Sequence, residues 1–386
     1  MYYLDYAAAT PVSKKALDAM LPFFSDNFYN PSAAYLPAKH IRALYEEAKS
    51  QIAHTYGAKG TDLIITSGAT EATNLAFTCI GARQKVLVLE TEHSSVLEVA
   101  KTHNYDIIRV RERSGLIDLD DLRSKLEDDV VLISISLVNN ELGTIQPFAD
   151  IAEIIRKTRS VRLSNGISTP LFLHSDASQA MNLLDISVSR LGVDLMTINS
   201  AKIYGPKGIG ALYVSHDVRL TPVIFGGGQE MGLRSGTENV PGVMGFAAAV
   251  TEAKQHVNGN RKKYEKLSHI FHTELDRLGD HAPLYLGSAK HQLSSFLPIS
   301  FPGLDAERLI YRLEDRGVYV STGAACAANK GSKSHVLQAI GLSDEEITGS
   351  LRISMGNGCT EDSVREAAQI IREEVSAEYA RIERSK

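Results

Sequence analysis

Between about residue 60 and residue 215 the chain alternates. Short β-branched runs, DLIITSG, KVLVLE, DIIRV, VVLISIS, LFLHSD, VDLMTI and GALYV, are separated by stretches of helical periodicity such as SSVLEVAKTH and FADIAEIIRKT. Strands joined through helices run mostly parallel, and a parallel sheet buries both faces. The pattern therefore predicts an α/β fold built on a mostly parallel seven-stranded sheet. Ahead of it, PAKHIRALYEEAKSQIAHTYG places Ile41, Leu44, Ala48 and Ile52 on one helical face and closes at Gly57, a residue suited to a helix C-terminus. Behind it come the glycine-rich GGGQEMGLRSGTENVPG, a helical stretch from about Val243 to Leu278, and a last third of short strands and helices. That third ends in the amphipathic EDSVREAAQIIREEVSAEYARIE. A chain of 386 residues exceeds what one core usually serves. Two domains are expected: a large one over 14–257, and a smaller α+β one made of 1–13 and 258–386.

Composition removes several classes. A net charge of -5 with 23% charged residues leaves no basic surface for a nucleic acid. No apolar run reaches the roughly 18 residues that a membrane span needs, and MYYLDYAAATPVSKKAL lacks the pattern of a secretory leader. A cytoplasmic protein with no direct nucleic-acid or membrane partner is expected. Cys79, Cys326 and Cys359 are too few and too scattered for a disulfide framework. No metal site is expected.

In open α/β sheets ligands bind beyond the carboxyl ends of the strands, and four places there carry polar residues. In DLIITSGATEATNLAF a strand feeds Ser67-Gly68-Ala69-Thr70 and then a helix, whose first N–H groups suit either a phosphate or an ordinary cap with Glu71 in the first turn. In LFLHSDASQ the strand ends at Asp176, with Gln179 three residues on; the carboxylate could pair with a protonated ring nitrogen or cap the next turn. In NSAKIYGPKG, Lys202 is either an exposed turn residue or an amine whose pKa burial lowers, making it a nucleophile. In LVLETEHSSVL, His93 is either a packing residue or a flat ring placed to stack on a planar cofactor. Together a phosphate seat, a pyridinium partner, an aldehyde-binding amine and a stacking ring are what pyridoxal 5'-phosphate requires.

The motifs LDYAAATP, SGATEATN, TEH, NNELGTIQP, SDASQ, KIYGPKGIGALYV, GGGQEMGLRSGTEN, the segment around Cys326 and LRISMG follow one another over nearly the whole chain. In this order they resemble the cysteine desulfurases of the NifS/IscS type, among the fold-type I (aspartate aminotransferase-like) enzymes that use pyridoxal 5'-phosphate. The resemblance implies that Lys202 is the Schiff-base lysine, that Asp176 pairs with the pyridine nitrogen, that Gln179 contacts the phenolic oxygen, and that His93 stacks on the ring and moves protons. It implies that Ala69 and Thr70 bind the phosphate, that Thr237 reaches the phosphate of the partner subunit in a homodimer, and that Asn140 and Arg352 hold the substrate carboxylate.

Within STGAACAANKGSKSHVL, Cys326 lies among small and polar residues near Lys330 and Lys333, whose charges would favour the thiolate. By the resemblance it accepts sulfur from L-cysteine as a persulfide, leaving L-alanine. Cys79 reads as packing, and Cys359, after Asn357-Gly358, as an exposed turn residue. Two positions depart from the family pattern. Asn199 and Ala201 stand where a serine and a histidine commonly touch the phosphate, so Asn199, Ser200 or a water would have to substitute. PSAAYLPAKH lacks the usual histidine after Asn-Pro-Ser. The other readings are a related lyase or aminotransferase, for example one acting on selenocysteine, and a cofactor-free binding platform. The sulfur acceptor is expected to be an iron-sulfur scaffold protein, a tRNA-thiolation enzyme or a DNA phosphorothioation system.

Overall fold

The computed structural model describes residues 1–322 and 333–384. Its strands are β1 (Tyr2–Tyr3), β2 (Leu63–Thr66), β3 (Lys85–Leu89), β4 (Asn104–Ile108), β5 (Val130–Ser134), β6 (Phe172–Asp176), β7 (Leu195–Asn199), β8 (Gly210–Val214), β9 (Leu284–Tyr285), β10 (Phe296–Ser300), β11 (Val318–Tyr319) and β12 (Ser350–Ser354). Among the described residues, β2 to β8 form one seven-stranded sheet in the order β2-β8-β7-β6-β5-β3-β4. The pairs β3–β4, β3–β5, β5–β6 and β6–β7 are parallel. Only β8 runs against its neighbours β2 and β7. The turn between β7 and β8 is too short for a crossover and can only reverse the chain. The sheet is mostly parallel, as the alternation predicts.

Both faces are covered. Along β3, Leu87 and Leu89 enter one core while Val86 and Val88 enter another, the period of two that a doubly buried strand imposes. The helix Leu36–Thr55 buries Ile41, Ala48 and Ile52 in the first core, with Leu44 at its margin. It ends where the glycine predicts: Gly57 has φ +76°, its N–H donates to His54 O at 3.1 Å, and the Ala58 N–H reaches Ala53 O at 3.0 Å. These are the paired bonds of a left-handed cap.

The helix Val240–Leu275 runs through two cores. Val243, Phe246 and Val250 pack beneath the large sheet, whereas Tyr264, Leu267, Phe271 and Leu275 pack in a separate cluster with Leu4, Ile299, Ile353, Ile371 and Val375. That second cluster is built on the antiparallel β12-β10-β9 sheet and on the helix Glu361–Glu383. The N-terminus returns to it, since β1 pairs in parallel with β11. Cys359 corrects an expectation. It is 5% exposed, inside the second core. Asn357 and Gly358 form the exposed turn, and the chain folds back so that the Gly356 N–H donates to Cys359 Sγ at 3.5 Å; burial pushes the thiol pKa up. Among the described residues, no helix is long and apolar enough to cross a membrane.

Candidate active site

β2, β3, β5, β6 and β7 all point the same way, so their carboxyl ends open on one edge, and four of the sequence-singled residues sit there. Asp176 closes β6. Asn199 closes β7 and caps the 3-10 turn Ser200–Lys202, accepting from the Ala201 N–H at 3.1 Å. Lys202 follows, partly buried, and its Nζ donates to Ala7 O at 2.8 Å and Ala8 O at 2.7 Å. It is not an exposed turn residue. The turn is locked from both sides: Thr10 Oγ1 accepts from the Tyr204 N–H at 2.9 Å, and the Tyr204 hydroxyl accepts from the Asn357 N–H at 2.7 Å.

His93, four residues past Leu89 at the end of β3, caps the helix Ser94–Ala100. Its Nδ1 accepts from the Ser95 N–H at 3.1 Å and meets Ser95 Oγ at 2.8 Å. In the neutral ring this puts the proton on Nε2. Burial lowers the pKa of His93; Asp176 opposes that shift, and Lys202 and His335 add to it. The imidazole therefore lies in the field of both the carboxylate and the amine. Asp176 Oδ1 accepts from the Ser178 N–H at 2.9 Å, and Gln179 Nε2 donates to Ala7 O at 3.0 Å, the carbonyl that Lys202 also uses.

The helix Ala69–Ala76 begins at Gly68 (φ +150°) with no side-chain cap, so the N–H groups at its start, including those of Ala69 and Thr70, are not claimed by a cap. Glu71 is engaged just ahead of the cap: one oxygen accepts from the Ser67 N–H at 2.8 Å, the other pairs with Arg234 Nε at 2.9 Å. Beside the lysine turn, Ser200 Oγ is buried with no hydrogen-bond partner among the described residues. An uncapped helix start, an orphan hydroxyl, an amine, a carboxylate and an imidazole on one edge fit a phosphorylated pyridine aldehyde. Thr237 is exposed in the loop after Glu230.

Arg352 comes from β12, on the other sheet. It is 4% exposed; Nη1 donates to Asn140 O at 2.9 Å and Nη2 to Asp5 Oδ1 at 2.6 Å. Asn140 and Arg352 thus touch, through the backbone of the former. Cys326 and Lys330 lie outside the described residues. Lys333 is described, and its ammonium pairs with Asp344 at 2.7 Å.

Sequence reasoning missed a set of groups around this edge. Glu92 is fully buried; its two oxygens accept from the Ser136 N–H and hydroxyl, each at 2.5 Å, and burial, with Asp176 adding, pushes its pKa up to about 8. His335 Nε2 bonds Glu92 O at 2.9 Å, and Ser334 donates to Glu141 Oε2 at 2.6 Å. Asp5, Ala7 and Ala8 complete the set. Only LDYAAATP, quoted as a motif, marked that segment.

The chain matches the aminotransferase class-V family over residues 2–366. A cysteine desulfurase IscS 1 of Archaeoglobus fulgidus is 36% identical over 385 residues, covering 96% of each chain. Among solved structures, a NifS-like protein superposes with a TM-score of 0.88 at 30% identity, over 98% of this chain and 100% of that one. SspA in complex with cysteine superposes with a TM-score of 0.78 at 32% identity, over 92% and 99%.

Proposed function

Because the chain belongs to the class-V aminotransferase family, and within it to the cysteine desulfurases, we propose that it converts L-cysteine to L-alanine and passes the sulfur to Cys326. The observation that carries this reading is that Lys202 Nζ and Gln179 Nε2 share the Ala7 carbonyl, at 2.8 and 3.0 Å, on the sheet edge that also carries Asp176 and His93. These groups suit pyridoxal 5'-phosphate, which when bound supplies an electron sink at the substrate α-carbon.

Each side chain then has a task. Lys202 would hold the cofactor through its aldehyde and, as an amine, would move protons at the substrate carbons. Asp176 would pair with the ring nitrogen and Gln179 with the phenolic oxygen. His93 would stack on the ring, and its Nε2 would hold the proton to be moved. The Ala69 and Thr70 N–H groups, with the Thr70 hydroxyl and Ser200 Oγ, would receive the phosphate. Asn199's side-chain oxygen is engaged by the turn, so its amide, Ser200 or a water would have to stand in for the missing serine and histidine. Arg352 and Asn140 hold the α-carboxylate by a charge-assisted pair. The Cys326 thiolate attacks the substrate sulfur; the S–S bond forms as the Cβ–S bond breaks, and the electron pair left on Cβ takes a proton. In a homodimer Thr237 would serve the partner's phosphate. The division into 14–257 and 1–13 with 258–386 is supported by the two cores that share the helix Val240–Leu275. The persulfide would be delivered in the cytoplasm to an iron-sulfur scaffold or thiolation protein.

Incubation with L-cysteine should yield alanine in step with a persulfide on the Cys326 peptide, read by mass spectrometry. Cys326→Ser should lose sulfide release while keeping the yellow cofactor. Full desulfurase activity in that variant would reject the assignment.

A further inference from the structure

We propose that Asp5 is the built-in counter-anion of Arg352 and sets how strongly the site takes a substrate carboxylate. The proposal rests on the reading of Arg352 as the partner of that carboxylate. A guanidinium cannot shed its proton in a protein, so one that is 4% exposed needs an anion beside it. Asp5 is that anion, at 2.6 Å from Nη2. The other contact, Asn140 O on Nη1, is an uncharged carbonyl. Glu141 is within Arg352's field, but burial raises its pKa and Ser334 engages one of its oxygens. Arg352 Nε remains: it is buried and has no hydrogen-bond partner among the described residues.

The backbone that carries Asp5 is fixed. Asp5 pairs with Ser354 in a parallel bridge, and its carbonyl accepts from the Ala8 N–H at 3.0 Å and the Tyr3 hydroxyl at 2.9 Å. Two residues on, Ala7 N–H donates to Ser354 Oγ at 2.9 Å, and the Ala7 and Ala8 carbonyls face the Lys202 amine. Asp5 therefore stays at the guanidinium when a ligand arrives, and the ligand's carboxylate must share Arg352 with it. Sharing sets two like charges a few ångströms apart, so their repulsion offsets part of the attraction of Arg352. The penalty is the same for every α-carboxylate, substrate or product, so it moves binding rather than the chemical step. Asp5 is thus a positioning and affinity-setting residue that holds one edge of Arg352 and offsets part of its attraction for a carboxylate.

Asp5→Asn keeps an oxygen for Nη2 and removes only the charge. In the cofactor-loaded enzyme it should lower KM for L-cysteine on the order of tenfold, about 1.4 kcal/mol, and leave kcat unchanged. L-alanine should bind more tightly by a similar factor in calorimetry. Asp5→Glu, which restores the charge, should bring KM back toward the parent value. An unchanged or raised KM in Asp5→Asn, with alanine affinity unchanged or weaker, would overturn the proposal, as would a low KM in Asp5→Glu. Arg352→Gln separates the two levels of the argument. A raised KM there together with a failed Asp5 result removes the counter-anion role alone, whereas an unchanged KM removes the carboxylate assignment itself and the proposal with it.

Discussion

His174 lies inside β6, two residues before Asp176, with Nδ1 2.8 Å from Ser134 Oγ and Nε2 2.9 Å from Thr197 Oγ1. Complete burial lowers its pKa from 6.5 to about 3, so the folded chain keeps it neutral while the unfolded chain protonates it. The unfolded state binds the extra proton throughout that window. Its contribution to stability is therefore present above about pH 6.5 and is lost as the pH falls toward 3, with a slope of about 1.4 kcal/mol per pH unit. His174→Gln, which cannot take the proton, should lose less stability than the parent chain when urea unfolding is compared between about pH 7 and about pH 4.5. Equal losses in the two proteins would contradict the assignment. Lys202, Asp176 and His93 were legible in the sequence because each follows a strand pattern directly, where a parallel sheet collects its functional groups. Asp5 was not, because a single acidic residue has no period and its partner Arg352 is 347 positions away. Cys359 was misread for a related reason: a turn marks where the chain reverses, and does not say on which side the next residue falls.

Among the elements, the glycine-rich segment before Thr237 is anchored in large part through Glu230. Glu230 accepts from the Tyr45 hydroxyl at 2.6 Å, from Lys49 Nζ at 2.7 Å and from the Ile65 N–H at 2.8 Å. Three elements, the helix Leu36–Thr55, β2 and the loop, thereby meet at one carboxylate. Glu230 and Met231 adopt φ of +47° and +60°, left-handed values that side chains resist, and the three bonds keep them there. The side chains of both Glu230 and Lys49 are 5% exposed. Glu230→Ala would leave the Lys49 ammonium buried without its partner, at a cost of about 3–5 kcal/mol. Thermal melting should show a correspondingly large fall, and a loss below about 1 kcal/mol would mean that water reaches Lys49 and that the loop is fixed by other contacts. The helix Leu36–Thr55 and its cap at Gly57 were readable from periodicity and one glycine. The Glu230 contacts were not, since a charged residue in a polar loop reads as solvated until packing buries it.

At the scale of the molecule, the site joins two packing units. The large sheet supplies Lys202, Asp176 and His93; the β12-β10-β9 sheet supplies Arg352; and the N-terminal segment crosses between them through Asp5, Ala7, Ala8 and Thr10. The large unit was visible in the sequence because seven strand patterns, most of them separated by helical stretches, leave few alternatives. The small one was visible only as a mixture of short elements, since strands as brief as β1 and β11 carry no pattern and take their pairing from the surrounding core. What unites the units is a single chemical claim, that the Lys202 amine carries the cofactor. Borohydride reduction of the yellow protein, followed by peptide mass spectrometry, tests it. The account predicts a pyridoxyl adduct on the peptide containing Lys202 and its loss in Lys202→Ala; an adduct on a different lysine, or none on a cofactor-loaded protein, would contradict it.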